Sequence, residues 1–286
     1  RGCFNTCAFC VSGGEKPVRT LSLEATRKRL DVIHQHGIKN VRVLDRTFNY
    51  NNKRAKELLN LFREYPDICF HLEIHPALLS EELKKELAGL PKGLLHLEAG
   101  IQSLREPVLE QSRRMGRLSD ALDGLKYLCS LHNMETHADL IAGLPLYHLS
   151  EIFEDIHTLA EYGAGEIQLE SLKLLPGTEM RRRAEELGIQ YAPLPPYEVL
   201  QTREISVDEL QTARVLSRLL DGFYNTPTWQ NITRTLMLEN EHFLHHFLDH
   251  LMQIGLIDQP LSLEKRGLIL YEFCKQNYPA YQTQVS

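Results

Sequence analysis

Residues 3–10 read Cys3-Phe4-Asn5-Thr6-Cys7-Ala8-Phe9-Cys10, a C-x3-C-x2-C spacing at the start of a 286-residue chain. Thiolates are soft ligands, suited to iron–sulfur clusters or zinc. The other three cysteines, Cys69, Cys129 and Cys274, are scattered and read as small buried apolar residues. A secreted disulfide framework would instead spread paired cysteines through a short chain. A structural zinc site wants four protein ligands in a closed tetrahedron, and the first histidine is His34. An electron-carrying ferredoxin wants four cysteines per cluster. Three crowded cysteines therefore leave one iron without a protein ligand. A molecule bearing an amine and a carboxylate can chelate that iron. Zinc with a distant fourth ligand, or an inert cluster, stays open on these residues alone.

The next 160 residues alternate helix and strand. Leu23–His36 reads as a helix capped by Ser22 and stopped by Gly37. Asn40–Asp45 reads as a strand, 51–65 as a helix, and Ile68–Ile74 as a strand. Ser80–Gly89 is a helix with Glu81 and Glu82 suiting its dipole. Leu94–Ile101, Glu135–Ala142 and Glu166–Leu175 are further strands. Ser119–His132 and Ser150–Tyr162 are the helices between them. Repeated βα units predict a parallel sheet. The stretch Tyr191-Ala-Pro-Leu-Pro-Pro196 marks a boundary. Beyond it, 206–224, 226–255 and 262–277 read as helices. This predicts two domains, 1–190 and 191–286. The chain opens on Arg1 and nothing precedes the cysteine motif, so it reads as a fragment lacking an upstream strand.

Composition is that of a soluble globular protein, 43% hydrophobic and 24% charged. No apolar run is long enough to cross a bilayer and no signal peptide is visible, which predicts a cytoplasmic location without a membrane partner. The net charge of −6, with an acidic tail, argues against a nucleic-acid partner.

The cysteine spacing, with aromatic Phe9 before the last cysteine, resembles the signature of the radical S-adenosylmethionine (SAM) superfamily. The resemblance implies a 4Fe-4S cluster on Cys3, Cys7 and Cys10 whose fourth iron binds SAM. It also implies a partial (β/α)6 TIM-like barrel followed here by a smaller helical domain. Glu98-Ala-Gly100-Ile-Gln102-Ser103 is similar to the family's E-x-G-x-Q-S element, which makes Glu98, Gly100, Gln102 and Ser103 candidates for the ribose and methionine parts of SAM. Asp139-Leu-Ile-Ala-Gly143-Leu-Pro145 resembles the strand that packs on adenine, giving Ile141 and Gly143. Leu172-Lys-Leu-Leu-Pro176-Gly177 resembles the last strand end, giving Leu175. Asp45-Arg46-Thr47-Phe48-Asn49 departs from the Gly-Gly-Glu or D-D-x-F element of many members. Asp45 is a candidate for the SAM ammonium or a helix cap, and Glu73 a candidate for the ribose. Taken alone, each strand-end motif also fits an ordinary strand end or tight turn.

The motif set most resembles cobalamin-binding radical SAM proteins that end in a helical domain of unknown function. That implies reductive cleavage of SAM to begin radical chemistry on a small-molecule substrate, fed by a one-electron donor such as flavodoxin or ferredoxin. Cobalamin is implied only through a domain absent from this chain. Competing readings are a methylthiotransferase-like or coproporphyrinogen-oxidase-like enzyme, or a non-enzymatic SAM- or cluster-binding module. Arg46, His71, His75 and Arg105 are candidates to face substrate, against solvated or structurally paired roles. In the tail, His242, His245, His246 and His250 fall at helical spacing. On one face they could bind metal or meet a carboxylate substrate; the favoured reading is a His-rich amphipathic helix whose core side is Phe243, Leu244, Phe247 and Leu251.

Overall fold

The computed structural model describes residues 2–13, 15–256 and 259–281; Arg1 and Gly14 lie outside them. In chain order the elements are α1 (Leu23–Gln35), β1 (Asn40–Val43), α2 (Asn52–Phe62), β2 (Cys69–Ile74), α3 (Glu81–Ala88), β3 (Leu95–Gln102), α4 (Glu106–Gln111), α5 (Leu118–Cys129), β4 (Glu135–Ala142), α6 (Leu149–Tyr162), β5 (Glu166–Ser171) and α7 (Glu179–Arg182). A hairpin of β6 (Gln190–Tyr191) and β7 (Val199–Gln201) follows, then α8 (Val207–Leu219), α9 (Pro227–Glu239), α10 (Phe243–Gln253) and α11 (Leu263–Asn277).

The strands β1 to β5 form one parallel sheet in sequence order. Side chains alternate across a strand. Phe70, Leu72, Leu95, Leu97, Ala138, Leu140, Ile167 and Leu169 fall on one face and are buried in the core. The core continues into the helices, where Phe62 of α2 stacks on Phe70 at 4.0 Å between ring centroids. The alternate residues Arg42, His71, Glu73, His96, Glu98, His137, Asp139 and Glu166 fall on the other face, which is therefore polar. This is the architecture expected of a TIM-like radical SAM core with a helical C-terminal part.

Local chemistry sets the ends. The side chains of Ser22, Asn51, Ser80 and Ser206 accept the backbone N–H groups that begin α1, α2, α3 and α8. The last strand ends at Ser171 instead of Leu175, because the chain bends to pair Lys173 with Glu198 beside β7. The helix expected over 226–255 is two helices. Asn240 leaves helical geometry and its Oδ1 accepts the N–H of His242. Two short helices escaped the sequence reading: α4, with Pro107 in its first turn, and the four-residue α7.

The Pro-rich stretch forms the turn of the β6–β7 hairpin, which is fastened to the core. Leu174 N–H donates to Tyr197 O (2.8 Å) and Val199 N–H to Leu172 O (2.9 Å). The helical tail closes the outer edge of β5. Asn225 accepts from Ile167 N (2.9 Å) and donates to Ile167 O (3.0 Å), while Tyr224 donates to Ala164 O (2.7 Å).

Gly124, inside α5, is a poor helix residue, but the packing demands it. A Cβ there would sit 2.1 Å from the carbonyl oxygen of Pro76. Gly124→Ala is expected to destabilise the fold by about 3 kcal/mol through overpacking, read as a lower midpoint in urea unfolding.

Candidate functional site

The cysteine loop sits where the carboxyl ends of the parallel strands open. It is held by its backbone at two points, for Ala8 N–H donates to Ser112 O (2.9 Å) after α4 and Ala8 O accepts from Met180 N–H (2.8 Å) in α7. Inside the loop, Cys10 N–H donates to Cys7 O (3.2 Å) and Gly13 N–H to Cys10 O (3.1 Å). Cys3 and Cys7 are buried and Cys10 is half-buried, all with free thiols. Cys3 Sγ lies 3.8 Å from Thr47 Oγ1. Arg114 Nη1 donates to Cys7 Sγ at 3.7 Å, and its Nη2 donates to Gly100 O. Burial pushes the Cys7 thiol up, and Arg114 works against that shift. A guanidinium beside the sulfur favours thiolate, and three thiols on a tied-down loop are a donor set that iron accepts. The residues present thus fit a cluster. Arg114 was not legible as part of this arrangement; Arg113-Arg114 looks like an ordinary basic pair.

Phe9 and Cys10 line a 310 Å³ cavity together with Ile141, Leu175, Arg46 and Glu170. Of the residues singled out from sequence, Phe9, Cys10, Arg46, Ile141 and Leu175 are thus brought to one opening. Glu73 and Glu98 lie on the sheet and Gln102 at the end of β3. Glu73 and Glu98 share one register position on the polar sheet face. Arg46 reaches Glu73 (3.3 Å), and burial together with the Glu98 charge raises the Glu73 carboxyl. Glu98 accepts from Arg42 (2.5 Å) and His71 (2.7 Å), and the nearby His137 imidazole (3.7 Å) together with the bond from His71 brings it down to about 2. At the end of β3 the pairing register shifts between Gly100 and Gln102. Gln102 takes a left-handed backbone (φ 69°) and its buried Oε1 has no partner.

Three candidates face elsewhere. Ser103 is fully buried, and its hydroxyl is engaged by Asp155 (3.4 Å) and by Arg105 N–H (3.1 Å). Gly143, at φ +91°, faces Val199, Leu210 and Leu172, so its left-handed turn brings β4 close to β7 and α8. Asp45 lies in a groove along the edge of β1 with Leu44 and Arg54, its carboxyl raised by burial.

The other polar candidates also resolve. Arg105 pairs with Asp155 (2.8 Å) and Glu154 (2.7 Å) on α6. In the tail, Phe243, Leu244, Phe247 and Leu251 are core, while His245 stacks on Phe153 at 3.8 Å and His246 meets the Tyr278 hydroxyl at 3.2 Å.

His75 supports the cysteine loop. Its ring lies 6.5 Å from that of Phe4, its N–H donates to Asn49, and its Nε2 meets Met115 O at 3.0 Å. Burial, with the nearby Arg114 charge, pushes His75 down to about 3 from 6.5. The unfolded chain then binds more protons between those values. This stabilisation is fully present above the unfolded pKa and is lost as pH falls through the window toward 3. Urea midpoints should therefore drop more for the wild type than for His75→Gln between about pH 7 and about pH 4.5.

Residues 1–159, more than half of the chain, match the radical SAM superfamily. The chain belongs to the radical SAM superfamily. Residues 185–285 match a family of proteins of unknown function, DUF4080. An uncharacterized methyltransferase of Pyrococcus horikoshii is 32% identical over 115 residues, covering 38% of this chain and 24% of that protein. Among solved structures, the radical SAM methyltransferase TsrM of Kitasatospora setae, bound to tryptophan and a SAM analogue, superposes with a TM-score of 0.57. It is 18% identical, over 72% of this chain and 41% of that one. The cobalamin-dependent SAM radical enzyme OxsB gives 0.56 at 14% identity, over 99% of this chain and 54% of that one. Streptococcus suis SuiB bound to SAM gives 0.53 at 14%, over 65% and 44%. At these identities the likeness is one of fold. The chain spans a quarter of the methyltransferase and about half of each structure. For a radical SAM chain the family implies a 4Fe-4S cluster and SAM. No helix among the described residues is long and apolar enough to cross a membrane.

Proposed function

We propose that this chain is the catalytic core of a radical SAM enzyme, with residues 1–190 as the core and 191–286 as a helical domain docked on its β5 edge. Cys3, Cys7 and Cys10 hold the cluster. When bound, the cluster and SAM supply one-electron reductive cleavage of the sulfonium, which opens radical chemistry on a small molecule. The observation that carries this reading is the convergence of Phe9, Cys10, Ile141 and Leu175 on one cavity. Apolar Phe9, Ile141 and Leu175 offer faces on which an adenine ring can rest. Arg46 and Glu170, lining the same cavity, supply charge for the polar end of the ligand. Gly100, at the end of β3, has the Arg114 guanidinium and the Gln102 amide against it. Arg114 keeps positive charge at Cys7 and fixes the Gly100 carbonyl in one contact.

Anaerobically reconstituted full-length protein, given SAM and a reductant, should release 5′-deoxyadenosine. Cluster-loaded protein that binds SAM and leaves it intact overturns the reading. A second reading is methyl transfer with cobalamin held outside this chain. The identity to a methyltransferase favours it, and its signature is S-adenosylhomocysteine formed in step with a methylated product.

A further inference from the structure

On the polar face of the sheet, next to Glu98, three imidazoles from three neighbouring strands crowd together. His71 (β2), His96 (β3) and His137 (β4) have ring centroids 4.8, 5.1 and 5.5 Å apart. Glu98, Asp139 and Glu166 surround them. The sequence produces this because each strand sets a histidine two residues before a carboxylate, as in His71-Leu-Glu73, His96-Leu-Glu98 and His137-Ala-Asp139. The parallel register then stacks these positions side by side.

None of the three histidines lines the SAM cavity, and two atoms of the cluster lack partners. His137 is 3% exposed. Its Nε2 lies 3.7 Å from Glu98 Oε2 and 3.4 Å from Asp139 Oδ1 and makes no hydrogen bond; Asp139 Oδ1 is also buried without one. Burying such atoms unpaired is costly. His71 Nε2 completes the ring, 2.7 Å from the same Glu98 oxygen. The ligand atoms of His71, Glu98 and His137 all lie within 4.8 Å of one another.

We infer that His71 Nε2, His137 Nε2 and Glu98 form a site for a divalent transition-metal ion on the polar face of the sheet, with Asp139 Oδ1 as an adjoining ligand. Two imidazoles and a carboxylate are a set that borderline divalent metals take. The outer contacts agree. A ligating histidine donates its other ring N–H to a fixed partner. Here His137 Nδ1 lies 3.0 Å from His96 Nε2, and His96 Nδ1 is 3.9 Å from Glu135. A proton on His137 Nδ1 satisfies the contact with His96 and leaves His137 Nε2 free to bind, while His96 Nδ1 stays beyond hydrogen-bond reach of Glu135. Arg42 holds the same Glu98 Oε2 at 2.5 Å, so the ion has to displace it; Arg46 pairs with Glu73, and neither reaches Asp139 or Glu166. His71 and Glu98 side chains are 21% and 19% exposed, so an ion can reach the site.

The test uses Zn²⁺ on the cluster-loaded full-length protein, by anaerobic equilibrium dialysis and X-ray absorption at the zinc edge. One zinc per chain is expected, with nitrogen and oxygen ligands at about 2.0–2.2 Å and no sulfur. His137→Gln and Glu98→Gln should each lose it. His71→Gln, at the more open side, should weaken binding at least about tenfold, with melting curves showing that the variants fold. His96→Gln should weaken it about tenfold through the partner of His137. Folded wild type that retains no zinc, a sulfur-containing shell, or unchanged binding in His137→Gln overturns the site. The outcome is separable from the SAM reading, because a Cys3/Cys7/Cys10→Ser protein without a cluster should still bind zinc on this face. Failure of SAM cleavage alongside intact zinc binding would count only against the enzyme assignment.

Discussion

Cys7→Ala protein, reconstituted beside the wild type, is expected to show no cluster absorption and to lose 5′-deoxyadenosine formation by about 10³-fold or more, equivalent to about 4 kcal/mol of barrier. The substitution removes one sulfur from a loop whose shape does not depend on that sulfur. The loop is fixed by backbone bonds from Ala8 to Ser112 and Met180 and from Gly13 to Cys10, and alanine preserves all of them. What is lost is the thiol that Arg114 faces. Far-ultraviolet circular dichroism should therefore match the wild type, so that loss of chemistry is not loss of fold. Cys274→Ala is the control. Cys274 is fully buried in α11 against the tail core, and its loss should leave iron content and SAM cleavage intact. Retention of a full cluster by the Cys7 variant would contradict the ligand assignment.

Asp155→Ala is the second large effect, and it concerns stability alone. Asp155 is fully buried in α6. Its carboxylate accepts from the hydroxyl of buried Tyr147 (2.6 Å), from Leu104 N–H (2.7 Å) and from Arg105 Nε (2.8 Å). Burial raises its pKa, against the opposing pull of these donors and of the Arg105 charge. Alanine strands the Tyr147 hydroxyl and the Leu104 amide and takes away the buried counter-charge of Arg105. Breaking such a pair by removing one partner costs about 3–5 kcal/mol. Urea unfolding should report a loss of that size, with Asp155→Asn in between. A loss under about 1 kcal/mol would mean the network contributes no more than an exposed ion pair.

The sheet was legible because its signals are local. Strand β4 runs Glu135–Ala142 as read, bounded by helix and turn residues on both sides. Ser22 and Ser80 cap α1 and α3 because a hydroxyl beside a helix start has one obvious use. The cysteine spacing by itself marks the loop as a thiolate donor set and leaves the metal open. Other features depend on distance in the chain. Arg114 joins the site only because the loop after α4 folds back over Cys7, 107 residues away in sequence. Ser103 turns toward α6 because Asp155 awaits it there. The polar sheet face left a readable trace that passed unused: a parallel strand covered on both faces reads as a continuous apolar run, whereas His71, Glu73, His96, Glu98, His137 and Asp139 break that run at every second residue. His71 stands alone in its own strand, and its neighbours His96 and His137 join it only through the parallel register.

The Asn225 amide, by taking both the N–H and the C=O of Ile167, behaves as a one-residue surrogate for a sixth strand. Sheets with bare rims invite other chains to pair with them. The C-terminal helices thus double as a guard against self-association. A chimera that transplants another tail onto this core must bring a carboxamide to the same spot or leave a sticky border exposed.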